Sequence, residues 1–162
     1  MARRNVWTGI TLLGLTACAT AVIWTVRVRE ASAHCQMPCG IYDDPARIAQ
    51  LREDAATIEK AVAQIRELAG KHDPQSLNQI TRWINTKEQH ASHIIEVVSE
   101  YFLTQKVKPK TPGSSEYESY LKKLADHHAV MVAAMKTKQT VDPEKVHALQ
   151  HAIDALAKHY TK

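Results

Sequence analysis

Residues 44–70 read DPARIAQLREDAATIEKAVAQIRELAG, and the fold turns on how this stretch is read. Ile48, Leu51, Ala55, Ile58, Val62, Ile65 and Leu68 recur at steps of three and four, the period of one helical face. Asp44 is a candidate N-cap, and Pro45 suits the first helical position, where a missing N–H removes no helical bond. Gly70 and Pro74 bracket the end of this first helix. One apolar stripe on a single helix has nothing to bury itself against, so partners are required.

The chain downstream supplies three. A second helix begins near Pro74 to Ser76 and carries Leu77, Ile80, Ile84, Ala91, Ile94, Val98 and Tyr101, with one seven-residue step between Ile84 and Ala91. It ends before Pro109, in a Lys-, Pro- and Gly-rich loop from Lys106 to Gly113. Ser115 and Glu118 have the spacing of a capping box for a third helix, whose core side reads Tyr117, Leu121, Leu124, His128, Met131 and Met135. Asp142-Pro143 repeats the cap-plus-proline signal for a fourth, with Val146, Leu149, Ile153, Leu156 and Tyr160 on one face. The expected fold is therefore all-α: an antiparallel up-down-up-down four-helix bundle.

Upstream the chain changes character. Arg3 and Arg4 precede an uncharged, largely apolar run from Val6 to Val26, long enough to span a bilayer as a helix. Ala31-Ser32-Ala33 has the small-x-small pattern of a signal cleavage site. The expected organisation is a leader over residues 1–33, membrane-spanning before cleavage, and a single domain over 34–162. The product would be exported, periplasmic or extracellular, and would touch a membrane only through an uncleaved leader. Leu15-Thr16-Ala17-Cys18 offers a second reading, a lipoprotein box cut before Cys18.

The formal charge of +4 hints at nucleic acid, but Arg3, Arg4, Arg27 and Arg29 against Glu30 place three of those charges in the leader. A domain near neutrality lacks the clustered basic face that polyanion binding needs, so no nucleic-acid partner is expected.

Cleavage after Ala33 would expose His34-Cys35-Gln36-Met37-Pro38-Cys39-Gly40-Ile41-Tyr42, residues 34–42, with His34 as the new terminus. That places an α-amine, an imidazole, a backbone amide and two thiols within six residues. Cys35 and Cys39 can form a small disulfide, bind a metal or do redox chemistry. As a metal site, the amine, the Cys35 amide nitrogen and two thiolates make a planar nitrogen–sulfur set, with the His34 imidazole available axially. Such tetragonal donors suit Ni(II) or Cu(II) better than zinc. Tyr42 could set a phenol over the open face or serve as a core aromatic anchoring this hook.

Elsewhere the chemistry-bearing residues look structural. His90 with His93, and His147 with His151, have helical spacing, but the sequence shows no Cys, Asp or Glu cluster joining either pair, so solvated faces are expected. Glu53-Asp54 reads as surface charge. Only Glu144 to His147 fits the Glu-x-x-His pattern, of which a di-iron bundle needs two, and Cys-x-x-Cys-His for covalent haem is absent.

His-Cys-x-x-Pro-Cys-Gly-x-Tyr at a processed terminus, followed by four helices, resembles the nickel superoxide dismutase family. Lys87-Glu88-Gln89 and Ser99-Glu100-Tyr101-Phe102 extend the likeness. The resemblance implies a right-handed four-helix bundle assembled as a homohexamer, an enzyme that converts superoxide to oxygen and peroxide with a nickel ion as cofactor. It implies that His34 supplies the terminal amine and axial imidazole, Cys35 its amide nitrogen and thiolate, and Cys39 the second thiolate. Tyr42 and the backbone near Gln36 would guide superoxide and protons, and Pro38 would be the hook's cis proline. The family pattern also supports the axial imidazole with a Glu and an Arg; here Ala49 stands near the first position and His90 at the second. The competing reading is a membrane-tethered helical bundle that binds metal or haem through helix histidines, with a Cys35–Cys39 disulfide.

Overall fold

The computed structural model describes residues 43–161; the expected leader (1–33) and hook (34–42) lie outside the described residues. Four α-helices follow in order: α1 (Asp44–Leu68), α2 (Pro74–Glu96), α3 (Tyr117–Lys138) and α4 (Pro143–Ala157). Between α2 and α3 the helix continues from Val97 to Lys106 with π geometry. No strand occurs among the described residues, and no helix there is long and apolar enough to cross a membrane. Helix α1 packs on α2 and α4, and α3 packs on the same two. The four therefore surround one core.

Three of the four helices begin with the same device. Asp43, Asp73 and Asp142 each accept a hydrogen bond from a first-turn amide, and a proline follows at the start of the helix. The first cap is Asp43 rather than the expected Asp44, because it is the Asp43 carboxylate that reaches the Ala46 amide, at 2.6 Å. Helix α3 differs. Its cap position is Glu116, which makes no side-chain capping bond, so the expected Ser115–Glu118 box does not form. Glu116 is drawn instead to Lys110, 2.6 Å away.

The α1 and α4 stripes lie where the periodicity put them: Ile48, Leu51, Ala55, Ile58, Val62, Val146, Leu149, Ile153 and Leu156 are buried in one cluster. Only half of the expected α2 stripe is buried. Ala91, Ile94, Val98 and Tyr101 belong to the core, while Leu77 is 50% and Ile84 41% exposed. The seven-residue step is occupied by Lys87, which is 3% exposed. Its ammonium donates to the carbonyls of Thr137 (2.7 Å) and Lys138 (2.8 Å) and to the Glu88 carboxylate (3.0 Å). Those carbonyls are the unpaired acceptors at the end of α3, where the helix dipole favours a cation.

On α3 the buried face is His127, Val130, Ala134 and Thr137, about one residue out of step with expectation, and Leu121 and Met135 are exposed. Phe102, fully buried, lies in the same core cluster as Val130 and Ala134. Its ring lies 4.4 Å from that of Tyr160 and 5.0 Å from that of Tyr101, centroid to centroid. His127, fully buried beside it, donates from Nδ1 to the Lys123 carbonyl (2.6 Å) and accepts at Nε2 from the Tyr160 hydroxyl (2.8 Å). Burial holds the His127 imidazole below its ordinary pKa of 6.5 and pushes the Tyr160 phenol well up.

A histidine kept neutral in the fold costs stability when the unfolded chain can protonate it. Stability is then full above pH 6.5 and falls as pH drops from there toward the lower folded pKa, by at most about 1.4 kcal/mol per pH unit. Asp126 does not blur this window. Burial pushes its carboxyl up, but hydrogen bonds from His159 and Lys122 outweigh that and hold it below 3.8. Urea unfolding at pH 8.0 and 5.5 is expected to show a steeper acid loss in the wild-type chain than in His127→Gln.

Candidate metal centre

The residues expected to bind metal, His34, Cys35 and Cys39, and the phenol of Tyr42, lie outside the described residues. Among the described residues, no group of three or more His, Cys, Asp or Glu side chains is placed to hold a metal ion. The helices thus offer no competing centre there. The imidazole, backbone amide and two thiols of residues 34–39 are nitrogen and sulfur donors that fit nickel. What the structure describes is the ground on which that segment is founded.

The first described turn of the chain is fastened at the start of α1. Asp44, the first helical residue, accepts a hydrogen bond from the Tyr101 hydroxyl at 2.7 Å and pairs with the Lys106 ammonium at 2.9 Å. The π geometry of residues 97–106 makes this possible, because bonds close at i to i+5 and side chains five apart come to one side. Tyr101 and Lys106 are five apart. The Lys106 ammonium also stands 5.4 Å from the Tyr101 ring centroid. Desolvation, reinforced by the Asp44 carboxylate, raises the Tyr101 pKa, so the phenol stays protonated at neutral pH. The hydrogen bond to Asp44 raises that of Lys106.

A second polar group ties α1 to α2. Asp54 is 5% exposed and accepts from Nδ1 of His90 at 2.6 Å and from Nδ1 of His93 at 2.7 Å. Both imidazoles therefore carry the Nδ1 proton when neutral, and Nε2 of His93 is left to meet the Gln50 amide nitrogen at 3.2 Å. The Gln50 carbonyl oxygen is buried without a partner. These groups, with Glu53, Thr57 and Gln89, line a cavity of about 380 Å³.

This corrects two expectations. Asp54 is not surface charge, and the His90/His93 pair is not a solvated face, since a carboxylate from the neighbouring helix joins its two members. Sequence spacing could not show that, because the acid lies 36 residues before His90. His147 behaves as expected: it is half exposed, 3.8 Å from Glu144, and His151 is exposed. At the position where the family pattern carries an Arg, His90 is thus a residue oriented by Asp54.

Asp54→Ala would take the shared carboxylate from two imidazoles at once. A loss of about 1–3 kcal/mol in unfolding free energy is expected, with disappearance of two hydrogen-bonded Nδ1 proton signals from the NMR spectrum.

A family model, described as nickel-containing superoxide dismutase, matches residues 29–162, which include the whole hook. A curated relative, the nickel superoxide dismutase of Streptomyces coelicolor, is 30% identical over 115 residues, covering 70% of this chain and 77% of the relative. No solved structure matches the chain. With the hook motif, four helices and no rival metal cluster among the described residues, the match is decisive: the chain belongs to the nickel-containing superoxide dismutase family.

Proposed function

We propose that the working enzyme is the chain from His34 onward, and that the His34 amine and imidazole, the Cys35 amide nitrogen and the thiolates of Cys35 and Cys39 would hold nickel there. The observation that carries this reading is the family match over residues 29–162, which spans the donors. The chain is a superoxide dismutase with a nickel cofactor. Bound nickel supplies the one-electron oxidant and reductant by cycling between two and three positive charges. The overall reaction takes two superoxide anions and two protons to oxygen and hydrogen peroxide.

The chain's own residues bind the ion, admit the anion and deliver protons. Thiolate and amide donors are electron-rich and favour the higher charge on the ion. Tyr42 and the backbone near Gln36 orient superoxide. Tyr101 adds a phenol that stays protonated at neutral pH on Asp44, two residues beyond Tyr42.

The helices run up-down-up-down, supported by the closed ring of packed neighbours and the short connections at 69–73 and 139–142. The mature chains assemble as a homohexamer, for which the exposed Leu77, Ile84, Leu121, Met135 and Val141 provide apolar surface. The 1–33 leader exports the chain and is removed after Ala33. No observation on the described residues favours the membrane-tethered alternative.

Protein tagged at the C-terminus and purified after processing should begin at His34 and contain about one nickel per chain. Cys39→Ser should lose nickel and lower superoxide dismutation by at least about a hundredfold, since a direct ligand outweighs the 10–100-fold typical of supporting groups. Active protein that holds zinc, or that retains Ala33, would refute the assignment of the ligands.

A further inference from the structure

We propose that the cavity between the loop after the π-helical segment and the first turns of α3 binds a small oxyanion of the phosphate class. Val107 is extended (φ −84°, ψ 112°) and 8% exposed, and its N–H is bound to the Phe102 carbonyl. Val107 is thus largely covered by the protein, and together with Lys106, Lys108 and Lys110 it lines the cavity, which has a volume of about 290 Å³. From the opposite wall α3 contributes Ser119, Tyr120 and Lys123 to the lining.

Four ammonium groups thus surround one concave space that contains a single carboxylate, Glu116. Two of the four are neutralised: Lys110 by Glu116 at 2.6 Å, and Lys106 by Asp44 at 2.9 Å. Among the described residues, Lys108 and Lys123 form no ion pair with a carboxylate, and the Lys123 ammonium stands 6.0 Å from the Tyr160 ring centroid. Like charges converging on a walled space raise the local concentration of anions, and the walls keep the field from being screened as on an open surface. Two hydroxyl donors beside two free ammoniums match a tetrahedral oxyanion. The positive end of the α3 dipole, at Tyr117 to Ser119, adds to the same field.

The probe is inorganic phosphate, titrated calorimetrically at low ionic strength into the nickel-loaded, processed full chain. The paired test is Lys108→Gln with Lys123→Gln against Lys60→Gln with Lys145→Gln, which removes the same charge from exposed positions that do not line the cavity. The expected result is saturable binding of one phosphate per chain, unchanged in the Lys60/Lys145 variant and weakened at least tenfold in the Lys108/Lys123 variant. Absence of saturable binding overturns the proposal. So does equal weakening in both variants, which would mean a diffuse field. Should the Lys108/Lys123 variant fail to fold, Lys108→Gln alone, on the exposed loop, makes the same comparison.

Discussion

A carboxylate buried between two helices must find donors, and Asp54 meets that requirement only if α2 presents His90 and His93 to it at one particular height along α1. An unpaired charge at that depth costs several kcal/mol, far more than a slight shift in apolar packing. The Asp54 contacts therefore do what the Ile and Leu side chains around them cannot. Hydrophobic burial is non-directional and tolerates sliding, whereas two hydrogen bonds at 2.6 and 2.7 Å do not. The other joints follow the same scheme. Lys87 closes the end of α3 from α2, His127 and Tyr160 join α3 to the segment after α4, and Asp44 binds the π-helical segment to the start of α1. On the outside, Arg52 and Asp154 at 3.0 Å add an exposed tie between α1 and α4 that contributes little by comparison.

This division explains which parts of the fold were legible in the sequence. The number of helices and the α1 and α4 stripes follow from periodicity, because their core positions are occupied by large aliphatic residues, and the cap at Asp142 follows from the proline behind it. Helix α2 misled for a physical reason: the position that keeps its face in register is a lysine, and hydropathy cannot tell a buried, carbonyl-bound ammonium from a solvated one. Helix α3 misled for another. Its inward face carries the smaller Val130 and Ala134, in one core cluster with Phe102, while the bulky Leu121 and Met135, which a pattern search favours, stand outside.

The family was legible because the residues of its motif are neighbours along the chain. The six residues proposed to hold the metal, 34–39, stand close together in sequence, and proximity in sequence is proximity in space for any conformation they adopt. The surrounding polar groups have no such advantage. Asp54 meets its partners across 36 and 39 residues, and Asp44 meets Tyr101 across 57. Nothing in the local pattern of either acid distinguishes it from the solvated carboxylates beside it, and only the packing of α1 on α2 and on the π-helical segment does so.

The π-helical segment carries a further consequence for how this chain can change length. Tyr101 and Lys106 reach Asp44 together because five residues separate them in a helix that closes every five. Removing one residue between them would let the segment relax to α geometry with the two side chains four apart, a spacing that keeps them on one face. Adding one would turn the lysine away from the tyrosine's side, because six positions match neither helical period. Residues 102–105 thus tolerate the loss of one residue but not the gain of one, while the loop from 107 to 116 that follows can lengthen or shorten at small entropic cost. Insertions among descendants of this sequence would collect after Lys106 and stop before it.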